Sequence, residues 1–148
     1  MLDAFEVVDF PTLDTLSSIP ESSGGFLYVL CWVRNGAQTP FYVGRTRRLR
    51  GRMEDYCLAQ FQACTDFRVG EAVRYLRGTK RYQIVLRYRA SAEPSKDEYH
   101  LLRKLQLSGF RLLNDLLGYN YRTAQETHER AVVQKFCDVL TRSPATQI

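Results

Sequence analysis

The sequence FLYVLCWVRNGAQTPFYVG, residues 26–44, carries the strongest secondary-structure signal in the chain. Residues 26–33 are rich in β-branched and aromatic side chains, which favour a buried strand. Asn35 and Gly36 follow, and an Asn-Gly pair is typical of the tight turn of a β-hairpin. The chain then returns through residues 39–44, over a connection too short for a parallel crossover. The segment therefore predicts two antiparallel strands joined in one hairpin.

The apolar residues after the hairpin have the spacing of a helix. Leu49, Met53 and Tyr56 recur at intervals of four and three residues, which predicts a helix over about residues 48–62. A second, shorter helix is expected over residues 72–77, where apolar residues again lie on one face.

A third strand and two more helices are predicted beyond residue 80. Residues 82–90, YQIVLRYRA, alternate in the manner of a strand. Ser95 and Glu98 have the spacing of a capping box at the start of a helix. Thr123 and Glu126 form a similar pair before an amphipathic terminal helix, which we expect to pack on the domain rather than bind a partner.

These elements predict the α/β (α+β) class, with a small, mostly antiparallel, three-stranded sheet flanked by helices. We expect residues 1–24 to be an N-terminal extension and residues 25–118 to be the main domain. Residues 119–148 would hold the terminal helix and a short tail. Within the extension, residues 4–10 fit a strand or a helical turn.

Composition is that of an ordinary globular domain, with 148 residues, 45% hydrophobic and 25% charged. The longest apolar run has about eight residues, against about 20 for a membrane span. The acidic N-terminus lacks the pattern of a secretory signal. We therefore expect no membrane partner and an intracellular location, cytoplasmic or, in a eukaryote, nuclear. The four widely spaced cysteines fit reduced thiols better than a zinc site or disulfides.

Positive charge is concentrated in the middle of the chain. Residues 1–33 contain five acids and no Lys or Arg, whereas residues 34–111 contain 17 Lys and Arg against seven Asp and Glu. Five arginines fall within residues 45–52. Such density attracts polyanions, and the planar guanidinium suits phosphate. Nucleic acid is the expected partner, and an unspecific basic surface is the alternative.

Five residues between positions 28 and 114 stand in a notable order. Tyr28 ends the tripeptide FLY and Tyr42 begins the tripeptide YVG, one on each strand of the hairpin. Arg52 lies ten residues after Tyr42, and Glu98 opens the helical sequence EYHLLRKL. Asn114 follows two leucines. Together they resemble the motifs of the GIY-YIG nuclease superfamily over about two thirds of the chain, with phenylalanine in place of the first glycine.

The resemblance implies a divalent-metal-dependent endonuclease that hydrolyses DNA phosphodiester bonds. Its catalytic residues would be Tyr28, Tyr42, Arg52, Tyr56 and Glu98, with a tyrosine as general base and Arg52 as phosphate clamp. Glu98 would hold one Mg²⁺ or Mn²⁺. Tyr56 stands where many relatives have histidine. The expected nucleic-acid contacts are Gly44, Arg45, Thr46, Arg47, Arg48, Arg50 and Asn114.

The chemistry of phosphodiester hydrolysis agrees with this assignment. The reaction needs a base, positive charge at the phosphorus and a stabilised leaving oxygen. A phenol, with a free pKa of about 10, serves as base only where cations and a second hydroxyl stabilise its phenolate. Mg²⁺ keeps most of its waters and takes one or two carboxylates, so Glu98 alone can hold it. Taken singly, each of these residues also fits an ordinary core or surface position.

Two alternatives stay open. The missing first glycine and Tyr56 favour a catalytically inactive nucleic-acid-binding domain of the same fold. A protein-interaction module, using the acidic N-terminal segment or the terminal helix, is the other. DNA is favoured over RNA, which the sequence does not exclude. Target specificity is either low, dependent on DNA shape, or supplied by a separate protein partner.

Overall fold

A four-stranded antiparallel sheet lies at the centre of the protein in the computed structural model, which describes residues 2–142. The strands are β1 (Glu6–Asp9), β2 (Phe26–Arg34), β3 (Ala37–Thr46) and β4 (Gln83–Ala90), in the spatial order β1-β4-β2-β3. The described residues also form the helices α1 (Leu49–Leu58), α2 (Cys64–Arg74), α3 (Pro94–Leu107) and α4 (Glu126–Arg142). Short 3₁₀ turns span Leu13–Ser18 and Leu113–Leu116, and a π-helical turn spans Tyr75–Thr79.

The predicted α+β class is confirmed, but the prediction of three strands is wrong. β1 adds a fourth strand by pairing antiparallel with β4, with Val8 opposite Leu86. Four residues are too few for a strand signal of their own, and the free edge of β4 supplies the hydrogen bonds that make them one. The segment predicted as an extension thus contributes to the sheet.

The central hairpin is confirmed. Arg34 pairs with Ala37 across a two-residue turn, in which Asn35 has φ 51° and Gly36 has φ 81°. Two consecutive positive φ angles define a type I′ turn, whose twist matches that of the strands it joins. Asn and Gly are the residues that accept this conformation at least cost.

A β-bulge shifts the register within the hairpin. Leu30 pairs with Tyr42 and Cys31 pairs with Pro40, which leaves Phe41 as the extra residue on β3. Phe41 and Tyr42 are adjacent, yet both belong to the same core cluster. The bulge therefore lets two neighbouring aromatic residues reach one side of the sheet.

The two faces of the sheet pack against different helices. On one face, Tyr28 and Leu30 contribute to a core with α1, α2 and α4. On the other face, Leu27 and Val29 pack with Leu105 and other residues of α3. The alternation along β2 follows the two-residue period of a strand.

Helices α1 and α2 differ from the predicted bounds. α1 ends at Leu58 because Ala59 adopts the left-handed conformation, with φ 47°, and its N–H bonds to the Asp55 carbonyl. α2 begins at Cys64, well before the predicted start. A Cβ at Gly70 would lie 2.2 Å from the Tyr56 carbonyl oxygen, so glycine permits a close approach of α1 and α2. This packing stabilises a helix whose sequence pattern is weak.

The two predicted capping boxes are wrong. α3 begins at Pro94, so Ser95 lies inside the first turn, and proline at the first helical position has its φ already set for a helix. α4 begins at Glu126, while the Thr123 hydroxyl donates to the Asn120 carbonyl in the preceding turn.

Polar contacts dock α4 on α2. Buried Arg68 of α2 forms an ion pair with buried Glu129 of α4. Glu71, also buried, accepts hydrogen bonds from Arg130 at 3.2 Å and from Gln134 at 3.1 Å. The tail predicted after α4 lies outside the described residues. Within residues 2–142, no helix combines the length and apolar character needed to cross a bilayer.

Candidate functional site

Three tyrosines meet on the α1 side of the sheet. Tyr28 comes from β2, Tyr42 from β3 and Tyr56 from α1. Tyr28 Oη lies 2.5 Å from Tyr56 Oη, which lies 3.5 Å from Tyr42 Oη. Their exposed fractions are 1%, 5% and 1%, in chain order. The hydroxyls form a buried chain, in which Tyr56 connects the other two.

Gly44 makes room for this cluster. It pairs with Tyr28 across the hairpin, and a Cβ at position 44 would lie 2.4 Å from both Cζ and Oη of Tyr28. No side chain fits there unless the Tyr28 ring moves. The glycine predicted to contact nucleic acid thus has a role inside the protein, which is to let the Tyr28 ring cross β3.

Arg52 lies on α1 one turn before Tyr56. Its Cζ is 4.7 Å from the centroid of the Tyr56 ring, a cation–π contact. Nη1 is 2.5 Å from Asp66 Oδ1 and 3.6 Å from Asp55 Oδ2. The side chain is 22% exposed. Arg52 therefore presents a nearly buried positive charge beside the tyrosine hydroxyls.

Burial governs the protonation of the tyrosines. It raises the pKa of Tyr28 well above 10, and the neighbouring Tyr42 raises it further, whereas hydrogen bonding to Tyr56 and the charge of Arg52 lower it. Burial also raises the pKa of Tyr56, again with a lowering contribution from Arg52. In the free protein, these phenols are neutral at physiological pH.

Glu98 approaches the cluster from α3. Burial raises the pKa of Tyr42; Tyr56 raises it further, and the Glu98 carboxylate adds a smaller increase. Glu98 Oε1 lies 2.6 Å from Arg45 Nη1, and the Glu98 side chain is 22% exposed. Its carboxylate is thus shared between the edge of the site and an arginine of β3.

The preceding residue of α3 forms a matching ion pair on β4. Asp97 Oδ2 lies 3.6 Å from Arg89 Nη2. Arg45 and Arg89 are both register partners of Leu27, one on each side of it. Two ion pairs therefore tie the start of α3 to β3 and β4, and the carboxylate of the Glu98 pair also acts through its charge on Tyr42.

The metal-binding capacity of the site is that of a single carboxylate. Among residues 2–142, no group of three or more His, Cys, Asp or Glu side chains is arranged to hold a metal ion. Mg²⁺ takes one or two carboxylates, retains water and binds substrate phosphate. Glu98, partly exposed and next to the tyrosines, fits this mode of binding and does not fit a site built wholly from protein ligands.

Besides Arg45, two more of the predicted phosphate-binding arginines have partners within the protein. Arg48 Nη2 lies 3.0 Å from Asp55 Oδ2. Arg50 donates from Nε to the Ile19 carbonyl at 2.8 Å. Thr46 accepts the backbone N–H of Arg48 at 2.9 Å. These contacts order the entry into α1 and the segment before β2.

Arg45, Arg47 and Arg48 are exposed, whereas Arg50 is partly buried. A groove of about 460 Å³ adjoins the entry into α1. Its lining residues are Leu16, Glu21, Ser22, Ser23, Arg47, Arg48, Leu49, Arg50, Gly51 and Glu54. This groove and the Arg45 side chain place several arginines at the end of β3 and the start of α1.

Asn114 binds the exposed edge of β3. Its Oδ1 accepts the Val43 N–H at 3.0 Å, and its Nδ2 donates to the Val43 carbonyl at 2.7 Å. The amide thereby imitates a neighbouring strand between Tyr42 and Gly44. Its predicted contact with nucleic acid stays a prediction, since both polar groups are used within the fold.

Sequence reasoning missed Asp66, which holds Arg52, and did not single out Asp55 nearby. Asp66 belongs to the first turn of α2, which the sequence did not place there, and Asp55 was not separated from other surface acids. An acid in the first turn of a helix is a recognisable signal once the helix start is known.

Comparisons with protein-family models, with curated proteins and with solved structures found no match to this chain.

Proposed function

We propose that this protein is a divalent-metal-dependent endonuclease of the GIY-YIG type that hydrolyses DNA phosphodiester bonds. The observation that carries the proposal is the meeting of Tyr28, Tyr42 and Tyr56 beside Arg52, from two strands and a helix. Buried hydroxyls need partners, and an apolar core would avoid that requirement. A hydroxyl chain next to a cation is the arrangement that proton transfer at a phosphate requires.

Tyr28 is the proposed general base. Its phenolate would accept the proton of the attacking water, with stabilisation from the Tyr56 hydroxyl and the Arg52 charge. Burial opposes this ionisation, so only a small fraction of Tyr28 is in the basic form at neutral pH. Arg52 also binds the scissile phosphate and stabilises the charge that develops on its oxygens.

Glu98 is the proposed ligand of one Mg²⁺ or Mn²⁺. The bound ion would supply positive charge at the leaving 3′ oxygen. In the free protein, Arg45 neutralises Glu98. When a DNA phosphate binds Arg45, the carboxylate is released from this pair and is able to face the ion. Arg45 therefore couples occupation by DNA to the state of Glu98.

Charge supports DNA as the substrate. The chain has a net charge of +5, and Arg45 and Arg47 lie exposed beside the cluster. Phosphate contacts of this kind weaken steeply with salt and carry no sequence information. We therefore propose cleavage directed by DNA shape or by a separate protein partner, in the cytoplasm or the nucleus of a eukaryotic cell.

The test compares wild type, Glu98→Gln and Asp97→Asn on supercoiled plasmid, labelled branched DNA duplexes and matched RNA, in Mg²⁺ and in EDTA. Both variants lose an ion pair that ties α3 to the sheet, but of the two carboxylates Glu98 is the one whose charge raises the pKa of Tyr42. We expect wild type and Asp97→Asn to cleave DNA with Mg²⁺. Glu98→Gln should lose about 10³-fold or more, the several kcal/mol that a catalytic ion supplies.

Equal losses in both variants would mean that Glu98 only anchors α3. A folded wild type that binds DNA without cutting it would instead support the inactive DNA-binding domain. The near-complete burial of the three tyrosines is the observation that favours this second candidate.

A further inference from the structure

The Arg52 guanidinium is held by one strong partner outside its own helix. Asp66 Oδ1 lies 2.5 Å from Arg52 Nη1. Asp55 Oδ2 lies farther away, at 3.6 Å, and is also 3.0 Å from Arg48 Nη2. Of the two carboxylates, Asp66 thus makes the closer contact with Arg52, while Asp55 makes its closer contact with Arg48.

Burial distinguishes the Arg52–Asp66 pair from an exposed ion pair. The side chains are 22% and 17% exposed, respectively. Exposed pairs contribute little because solvent screens them and both side chains move. Here the Tyr56 ring covers the guanidinium, with Cζ 4.7 Å from the ring centroid. The pair is therefore restrained on the ring side as well as on the carboxylate side.

The backbone under Asp66 is fixed relative to α1. Asp66 lies in the first turn of α2, where the helix dipole favours a carboxylate. One turn farther on, Gly70 permits contact with the Tyr56 carbonyl, which leaves no room for a Cβ. Since Tyr56 is also the central hydroxyl of the cluster, α2 holds Asp66 at a set distance from both Arg52 and the tyrosines.

The contact uses only part of the guanidinium. Arginine has five N–H donors, and Asp66 takes one through Nη1. The charge of Arg52 also acts on Tyr28, whose pKa it lowers. The remaining donors are available to a phosphate that enters beside the tyrosines.

We infer that Asp66 is a positioning residue that fixes the Arg52 guanidinium toward Tyr28 and the scissile phosphate before DNA binds. The inference rests on the proposed nuclease function and adds a residue outside the motifs that suggested it. Asp66 touches neither substrate nor ion and acts through Arg52. Its removal lowers the rate of the chemical step and leaves DNA affinity nearly unchanged.

The experiment measures single-turnover cleavage and, in EDTA, DNA affinity for Asp66→Asn and for the matched variant Asp55→Asn. We expect Asp66→Asn to cleave on the order of 10²-fold more slowly, the cost of a misplaced catalytic group. Its Kd for DNA should stay within about twofold of wild type, because the nonspecific phosphate contacts remain. Asp55→Asn should cleave within about threefold of wild type, as for a screened ion pair.

A double-mutant cycle separates positioning from general structural damage. In an Arg52→Lys background, Asp66→Asn should cost less than about threefold, because residues that act as one unit are not additive. The inference would be overturned if the rate losses of Asp66→Asn and Arg52→Lys multiplied in the double variant. A wild-type cleavage rate in Asp66→Asn would also overturn it. If Asp66→Asn does not fold, Asp66→Glu takes its place: an intermediate rate supports the inference and a wild-type rate overturns it. Absence of cleavage by wild type would overturn the nuclease function and this inference together.

Discussion

The two faces of the central sheet are built differently. The α3 face is apolar, with Leu27, Val43 and Leu105 packed together and ion pairs only at its rim. The α1 face carries Tyr28 and Tyr42 within an otherwise similar core. Both faces bury their side chains equally well, so burial alone does not require the hydroxyls.

The tyrosine hydroxyls that distinguish the α1 face contribute little to the stability of the fold. A satisfied hydrogen bond contributes only about 1 kcal/mol net to stability, whereas an unsatisfied buried hydroxyl costs about 1–3 kcal/mol. The chain Tyr28–Tyr56–Tyr42 therefore adds little stability and depends on accurate geometry. Both faces stabilise the fold, and the α1 face also holds the proposed catalytic groups. Substitutions that separate activity from stability test this division.

Tyr28→Phe should give the largest difference between the loss of cleavage and the loss of stability. It removes the proposed base and should slow cleavage by about 10²- to 10⁴-fold, the usual contribution of general base catalysis. Stability should change by only about 1 kcal/mol. Cleavage assays and urea unfolding measure the two quantities. Tyr88→Phe is the control, since Tyr88 pairs with Tyr28 across β2 and β4 but is partly exposed; equal slowing in both variants would count against a special role for Tyr28.

Leu105→Ala should show the opposite pattern on the α3 face. Leu105 is fully buried, and truncation should lower the free energy of unfolding by about 2–5 kcal/mol through lost contacts and a cavity. Cleavage measured per folded molecule, at a temperature well below the melting point, should match wild type. A fall in kcat comparable to that of Tyr28→Phe would show that the two faces are not functionally separate.

Alkaline pH should lower the free energy of unfolding, and the buried tyrosines should contribute to the loss. The tyrosine pKa is 10.0 in an exposed chain and is raised in the folded cluster. Unfolding therefore releases protons above pH 10, and stability is retained below that pH and lost above it, by about 1.4 kcal/mol per pH unit for each such tyrosine. Urea unfolding from pH 8 to 11 measures this slope. Tyr28→Phe should reduce it, and an unchanged slope would contradict the assignment.

Alkaline pH should have the reverse effect on cleavage. Because the pKa of Tyr28 is raised, the fraction of phenolate increases about tenfold per pH unit up to at least pH 9. The single-turnover rate should rise with pH over this range, without a plateau near neutrality. A bell-shaped profile centred near pH 7 would indicate a different base.

Arg45→Gln should have the smallest effect. Removal of the cation frees Glu98, so the Mg²⁺ concentration for half-maximal cleavage should fall by about two- to fivefold, the range of a partly exposed ion pair. The salt dependence of DNA binding should also decrease by about one phosphate contact. Metal titrations and binding at several salt concentrations measure both. A higher Mg²⁺ requirement would instead indicate that Arg45 helps to hold Glu98 in place.

Local sequence predicted the parts of the fold that have local causes. Asn35-Gly36 specified the type I′ turn, and the β-rich residues on either side specified β2 and β3. For residues 4–10 the sequence left a strand and a helical turn open, and pairing with β4 decides for the strand β1. The start of α2 was missed because contact with α1 at Gly70, rather than a strong periodic pattern, defines it.

The same distinction applies to the candidate site. Tyr28, Tyr42 and Arg52 were named from sequence because their order and spacing resemble the motifs of the GIY-YIG nucleases. Neither the hydroxyl order within the cluster nor the Arg52–Asp66 pair has a signal in the sequence. Both depend on how closely α1 and α2 approach the sheet.

The sequence by itself determined a basic α+β domain with a central hairpin and a set of residues suited to phosphate chemistry. The tertiary structure decided that Tyr56 connects the other tyrosines, that Arg45 forms an ion pair with Glu98, and that Asp66 forms one with Arg52. The physical reason is the separation along the chain of the residues that interact. Turns and strands depend mainly on residues that are neighbours in the sequence. Hydrogen bonds between side chains depend on distances of a few ångströms, which only the packing of helices on the sheet sets.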